Sequence, residues 1–144
     1  MHSHVGLIIM LNKQIEEFFK SSEFAVVGAS TDRIKYGNKV LRCYMQHRMT
    51  VYPVHPHEQL LEDLPAFSSV MELPSEVKSI SVITPPQVTE KIVADAVKRG
   101  IKNIWMQPGA ESDKAIRDCI EHHINIIANG PCILMTLGYH EDIA

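Results

Sequence analysis

Residues 24–37 read FAVVGASTDRIKYG, and this stretch decides the fold. The apolar run at 24–27 is short and contains adjacent valines, which is typical of a buried parallel strand. Gly28 ends the run, because glycine tolerates a tight turn that other residues resist. Helical spacing follows Gly37 in residues that share one helix face: Val40, Leu41, Tyr44 and Met45. The stretch therefore predicts a strand, a tight loop and a helix.

The same alternation continues along the chain. Four further apolar runs are VYPV at 51–54, ISVI at 80–83, IWM at 104–106 and INII at 124–127. Helical patterns lie at 88–97, before Gly100, and at 115–120, after the candidate N-cap Ser112. Strands that alternate with helices predict a Rossmann-like α/β fold with a five-stranded, mostly parallel sheet and helices on both faces. Right-handed crossovers with a change of direction after the third strand predict the order 3-2-1-4-5.

Two further segments complete the predicted fold. Residues 12–20 predict an additional helix that turns Ile15, Phe18 and Phe19 inward. The connection at 57–78 contains two prolines, so we expect a loop there with a short helical turn near 67–71. We expect one domain over residues 1–144, with residues 1–11 as an N-terminal extension, since no linker or repeat divides the chain.

Composition narrows the class of protein. The chain has 144 residues, 45% hydrophobic and 22% charged, as is usual for a globular protein, with a formal charge of −3. No basic stripe points to nucleic acid, and no apolar run is long enough to cross a membrane. A signal peptide is not expected, because the apolar stretch at 5–11 lacks a basic flank. Three cysteines without a CxxC pair suit free thiols in the cytoplasm, where we expect the protein.

The loops after the strands are the candidate binding site. In an open parallel sheet, ligands bind beyond the carboxyl ends of the strands where the strand order reverses, here predicted between strands 1 and 4. The first such loop offers the hydroxyls of Ser30 and Thr31, the cations Arg33 and Lys35, and a following helix N-terminus. Unpaired N–H groups and the helix dipole attract phosphate at such a position. We therefore interpret this loop as a phosphate site, with a solvated loop as the alternative.

The loop after the second strand indicates which phosphate ligand fits. Ser30 stands where the dinucleotide motif G-x-G-x-x-G has its second glycine. A NAD site also needs an acidic residue after strand 2, but His55-Pro56-His57 stands there. Imidazole tolerates an additional ribose phosphate and favours it when protonated. The sequence therefore favours coenzyme A or NADP over NAD, and a metal site from this histidine pair is not expected because no third ligand is evident.

At these loops the chain resembles the stand-alone CoA-binding domain proteins, which are similar to the N-terminal domain of the succinyl-CoA synthetase α subunit. The resemblance covers about residues 23–134 and rests on VVGAS at 26–30, VYPVHP at 51–56, TPP at 84–86 and Cys132. It implies that the first loop receives phosphate and that TPP lines the adenosine or pantetheine path. The family usually has Asn-Pro-Lys where this chain has His55-Pro56-His57, and a basic residue where Pro131 stands.

The resemblance implies coenzyme A or an acyl-CoA as the ligand. The candidate binding residues are Gly28, Ala29, Ser30, Thr31, Arg33, Lys35, Tyr36, His55, Pro56, His57, Thr84, Pro85, Pro86, Gln107 and Cys132. The full synthetase also needs a phosphorylated histidine in a ligase domain and an ATP-grasp partner, for which 144 residues leave no room. We therefore expect a binding module without complete catalytic machinery. A homo-oligomer and a separate enzyme partner chain both remain open.

Two alternative functions stand beside this interpretation, and Cys132 carries a separate hypothesis. An NADP-dependent oxidoreductase is one alternative, but the chain lacks the glycine motif and an obvious Tyr-x-x-x-Lys pair. Tyr36 and Lys39 are three residues apart, but they lie in the predicted phosphate loop and the following helix, where hydride chemistry is not expected. An interaction subunit with a degenerate nucleotide cleft fits the histidine substitutions and Pro131 equally well. Cys132 is either an idle thiol or, where the pantetheine thiol reaches the last loop, a partner for a mixed disulfide with coenzyme A.

Overall fold

Five parallel strands form the central sheet of the protein, in a computed structural model that describes residues 4–141. The helices are α1 (His4–Phe19), α2 (Tyr36–Gln46), α3 (Pro86–Arg99) and α4 (Asp113–Glu121). The sheet strands are β1 (Glu23–Val27), β2 (Thr50–Val54), β5 (Val77–Val82), β6 (Asn103–Met106) and β7 (Asn125–Ile127). A small hairpin, β3 (Leu60–Leu61) with β4 (Leu64–Pro65), a 3-10 turn (Val70–Glu72) and a π-helical turn (Leu134–Gly138) complete the chain.

The strand order confirms the α/β fold class but corrects the predicted arrangement. The order is β2-β1-β5-β6-β7, which is 2-1-3-4-5 for the five predicted strands, so the order 3-2-1-4-5 was wrong. The chain changes direction after its second strand, and β5 pairs directly with β1, with Ala25 opposite Ile80. Pro53 explains the difference: it has no N–H for a ladder, which suits β2 at the edge and not inside the sheet.

Alternating residues of β1 face two separate core layers. Ala25 and Val27 pack on the side of α3 and α4, whereas Phe24 and Val26 pack on the side of α1 and α2. In the second layer Trp105 is fully buried against Phe18. The predicted inward residues of the first helix, Ile15, Phe18 and Phe19, all belong to this layer.

Several local predictions need adjustment. The first helix begins at His4 and not near residue 12, and the predicted loop at 57–78 contains the unpredicted β3–β4 hairpin as well as a 3-10 turn close to the predicted one. Glu62 and Asp63 form the turn of this hairpin. Their φ values of 47° and 64° are the positive values that a two-residue type I′ turn requires. None of the helices over residues 4–141 is long and apolar enough to cross a membrane.

Candidate functional site

The point where the strand order reverses lies between β1 and β5, and not between strands 1 and 4 as predicted. Gly28 leaves β1 with φ of 95°, and a Cβ on it would lie 2.0 Å from the carbonyl oxygen of Ile83. A Cβ on Gly37 would lie 2.1 Å from the carbonyl oxygen of Gly28. Only glycine fits at either position, because the start of α2, the end of β1 and the end of β5 meet there without space for a side chain.

The loop at 28–35 is folded by its own polar groups. The Ser30 hydroxyl accepts a hydrogen bond of 3.0 Å from the N–H of Asp32, and Asp32 Oδ1 accepts one of 3.0 Å from the N–H of Ile34. The Ser30 hydroxyl oxygen therefore shapes the loop by accepting a hydrogen bond. The same hydroxyl can still donate its proton to a ligand. Thr31 is exposed, and the side chain of Ala29 lies in the core, so Ala29 contributes only backbone.

A buried polar pair on α2 supports this loop from beneath. The Asn38 side-chain amide is 0% exposed, donates to the carbonyl of Ser30 at 2.8 Å, and accepts from Arg42 Nε at 2.6 Å. Arg42, 3% exposed, donates from Nη2 to the carbonyl of Arg33 at 2.7 Å. The sequence analysis missed both residues, although polar residues four apart among apolar neighbours were a signal for them.

The cations of the loop lie at its surface. Lys35 is exposed, and the half-exposed Arg33 places Nη2 3.4 Å from Glu62 Oε1. Glu62 also accepts a hydrogen bond of 3.1 Å from Asn38 Nδ2. The β3–β4 hairpin therefore contacts both the loop and the buried pair on α2 that supports it. An anion at this loop would therefore meet Arg33 next to a competing carboxylate.

His55 and His57 have different roles after β2. The Nδ1 atom of His55 accepts hydrogen bonds of 3.0 Å from the N–H groups of both His57 and Glu58. Through these two hydrogen bonds the His55 side chain holds the turn after β2. His57 is exposed and keeps its imidazole at the loop surface. Of the predicted histidine pair, His57 is therefore the residue whose side chain is accessible to a ligand.

A cavity of about 220 Å³, here called the α3 cavity, lies between the ends of β1 and β2 and helix α3. Its apolar walls come from Val27, Val54, Val70, Val88 and Ile92. Its polar lining comes from Ser68, Ser69, Thr84 and Asp95, and Gly28 and Pro56 are the other predicted site residues on its wall.

An open groove lies beside the α3 cavity, at the ends of β5 and β6. Ile83, Thr84, Pro85, Pro108, Gly109 and Ala110 line about 310 Å³ of it. Thr84 lines both the cavity and the groove, so the two are neighbours at this residue, and together they are called the cleft below. The Thr84 hydroxyl lies 2.7 Å from the hydroxyl of the buried Thr89, which fixes the start of α3. Pro86, the first residue of α3, lines neither part.

Tyr36, Gln107 and Cys132 meet on the α2 side of the same edge. The Tyr36 hydroxyl contacts Cys132 Sγ and donates to Gln107 Oε1 at 3.5 Å. Burial, followed by the hydrogen bond to Cys132, raises the pKa of Tyr36 above its ordinary value. Gln107 is 0% exposed, and its Oε1 also accepts from the N–H of Ile133 at 3.1 Å. Its Nε2 has no hydrogen-bond partner among residues 4–141.

Six of the predicted residues thus form two groups along one edge. Gly28, Pro56 and Thr84 lie on the α3 cavity; Tyr36, Gln107 and Cys132 lie together near the last loop. The loop cations Arg33 and Lys35 belong to neither group and stay at the surface. Within the described range 4–141, no three His, Cys, Asp or Glu side chains are arranged to hold a metal ion, and all three cysteines are free.

Comparison with known proteins identifies relatives of this arrangement. A family model described as a CoA binding domain matches residues 22–137. The α subunit of ADP-forming acetate–CoA ligase II from Pyrococcus furiosus is 24% identical over 138 residues, which cover 90% of this chain but 30% of that subunit. ADP-forming acetate–CoA ligase I from Archaeoglobus fulgidus is 25% identical over 113 residues, or 74% of this chain and 16% of the ligase. The chain therefore spans less than a third of either relative.

Solved structures resemble the fold over similar lengths. A conserved hypothetical protein from Pyrococcus furiosus shares 36% identity with a TM-score of 0.76, and the match covers 79% of this chain and 97% of that one. A hypothetical protein from Pyrococcus horikoshii shares 26% identity with a TM-score of 0.80 and 87% coverage of both chains. Acetyl-coenzyme A synthetase 1 from Candidatus Korarchaeum cryptofilum, solved with phosphate and ADP, shares 25% identity with a TM-score of 0.71, over 79% of this chain and 27% of that one.

Proposed function

The chain belongs to the CoA binding domain family, and from that membership we propose that it binds coenzyme A or an acyl-CoA along the carboxyl edge of its sheet. The observation that carries the proposal is that the α3 cavity and the groove lie on either side of Thr84 and together make a cleft along the strand ends. A long, slender ligand needs such a cleft, and the place where strand order reverses is where α/β sheets of this kind bind nucleotides.

We place the parts of the ligand according to the chemistry of the residues along the cleft. The phosphates lie at the loop of Gly28 and Ser30, where α2 begins and where Arg33 and Lys35 are exposed. The α3 cavity, at about 220 Å³, is smaller than the 300–1,000 Å³ typical of a whole drug-sized ligand, so it holds one end of the molecule. The groove beside Thr84 and Pro85 takes the extended pantetheine arm.

The proposal is limited to binding. The relatives named as ligases are several times longer than this chain, and their activity belongs to them. We assign to this chain a single binding domain that presents coenzyme A or its thioester, with a second copy or a separate enzyme chain as its partner. A cytoplasmic location agrees with three free thiols.

Calorimetric titration with coenzyme A, acetyl-CoA, NADP⁺ and NAD⁺ tests the proposal. We expect the two CoA species to bind and the two dinucleotides to give no heat. The variant Ser69→Phe fills the wall of the α3 cavity and should weaken coenzyme A binding at least about tenfold, a loss of about 1.4 kcal/mol. Ser75→Phe is the matched control, because Ser75 is exposed outside the cavity.

Two results would contradict the proposal. Binding of NADP⁺ without coenzyme A would favour the oxidoreductase alternative. No heat from any of the four compounds would favour an interaction subunit with a degenerate cleft.

A further inference from the structure

A carboxylate interrupts the apolar face that α3 turns toward the α3 cavity. Val88, Ile92 and Asp95 are four and three residues apart, so they lie on one side of the helix, and all three line the cavity. The first two supply apolar wall. Asp95 is the only charged residue among the described residues that line the cavity.

Asp95 has no protein partner for its charge. Within residues 4–141 its carboxylate makes no hydrogen bond or ion pair, although it is partly buried. Arg99, one turn further along α3, donates instead to the carbonyl of Leu73 at 3.0 Å and to that of Pro74. An ionised carboxylate only accepts hydrogen bonds, so Asp95 offers acceptors to whatever occupies the cavity.

The charge excludes some occupants and selects others. A phosphate is repelled by Asp95, and the loop cations that suit it lie outside the cavity lining. A flat nucleobase has apolar faces that match the valine and isoleucine walls and an edge that carries polar groups. On the edge that carries N7, adenine presents a 6-amino donor, whereas guanine and hypoxanthine present only acceptors, N7 and a carbonyl oxygen, which a carboxylate repels.

We propose that Asp95 selects adenine in the ligand by accepting a hydrogen bond from its 6-amino group. The proposal rests on the proposed function, because it places the base of coenzyme A in the α3 cavity. It assigns a specificity-determining role to a residue in the body of α3, away from the loops at the strand ends.

The test compares coenzyme A with its hypoxanthine analogue, which has the same size but a carbonyl at position 6. Calorimetry should show that the native protein prefers coenzyme A by about tenfold or more, the size expected for a hydrogen bond to a charged group. Asp95→Ala should bind both compounds with similar affinity. Asp95→Asn keeps an acceptor oxygen and should retain part of the preference. Glu121→Ala is the charge-matched control, since Glu121 is exposed on α4, and should behave as the native protein.

The outcomes separate this inference from the proposed function. A preference that survives Asp95→Ala would overturn the inference, as would equal affinities of the native protein for the two compounds. Parallel weakening of both compounds in Asp95→Ala would also overturn it, because the carboxylate would then act on the ribose or on the fold. In each of these cases coenzyme A still binds the native protein. If coenzyme A fails to bind the native protein, both the inference and the proposed function are wrong.

Discussion

Arg42 donates a 2.6 Å hydrogen bond from Nε to Oδ1 of Asn38, and neither residue is exposed by more than 3%. The pair links helix α2 to the loop that follows β1, since Asn38 holds the carbonyl of Ser30 and Arg42 that of Arg33. Loops that bind ligands are supported by residues that do not touch the ligand. This loop therefore takes its shape from buried polar groups on the helix that follows it.

Replacing the support should loosen the loop. In Asn38→Ala the carbonyl of Ser30 and the Nε of Arg42 lose their partner, which should lower the free energy of unfolding by about 1–3 kcal/mol. Coenzyme A affinity should fall as well, although Asn38 lies beneath the proposed phosphate site. Urea denaturation and calorimetry measure the two effects. Asn12→Ala on the exposed surface of α1 is the control, and equal stability of the two variants would refute the supporting role.

The two histidines after β2 should respond differently to substitution. His55→Asn keeps a side-chain acceptor for the turn and should bind coenzyme A nearly as well as the native protein, whereas His55→Ala should bind more weakly. His57→Lys places a permanent charge at the exposed position and should raise affinity a few-fold at pH 8 and low salt. His123→Lys, exposed at the opposite edge, is the control. No gain from His57→Lys beyond this control would count against a phosphate near this loop.

Buried thiols should make the protein less stable at high pH. Burial raises the pKa of Cys43 from about 9 to about 11 and that of Cys119 from about 9 to about 12. The unfolded chain then loses these protons at lower pH than the folded protein, so stability is complete below pH 9 and falls as the pH rises above it. Urea denaturation between pH 7 and 10.5 should show this fall, with a shallower slope in Cys43→Ala. A stability that does not change with pH up to 10.5 would contradict this account, because it would mean that the thiols have the same pKa in the folded and the unfolded state.

The third thiol should react where the other two do not. Cys132 is partly exposed beside Tyr36, whereas Cys43 and Cys119 are buried. With coenzyme A disulfide, the Cys132 thiolate attacks one sulfur, forms the mixed disulfide and releases one molecule of coenzyme A thiol. Intact-mass analysis should show a single adduct that is absent in Cys132→Ser. An adduct that persists in Cys132→Ser would place the reaction elsewhere, and no adduct would leave Cys132 an idle thiol.

The fold class could be predicted from the sequence because the spacing of apolar residues distinguishes strands from helices. Each of the five apolar runs became a strand at almost the predicted position, and the helices followed their apolar faces. The strand order was wrong because right-handed crossovers permit both arrangements. Pro53 was the one local signal for an edge strand. The β3–β4 hairpin was missed because strands of two residues have no measurable period.

The candidate site was predictable only where it follows the strand ends. Gly28 and Thr84 were found because every such loop was nominated. Val70 and Asp95 line the same cavity from a 3-10 turn and from the body of α3, and their contact with the cavity depends on how those elements pack. Asn38 and Arg42 were missed for the same reason, since burial of polar residues is a tertiary property.

Mapping the bound ligand by NMR tests the central claim most directly. In a titration of ¹⁵N-labelled protein with coenzyme A, the amide signals of Gly28, Val70 and Thr84 should shift, because these residues line the cleft. The depression at the opposite edge, lined by Lys102, His122 and His123, is an internal control whose signals should stay in place. Shifts confined to that opposite edge, with Gly28 and Thr84 unmoved, would contradict binding at the carboxyl ends of the strands.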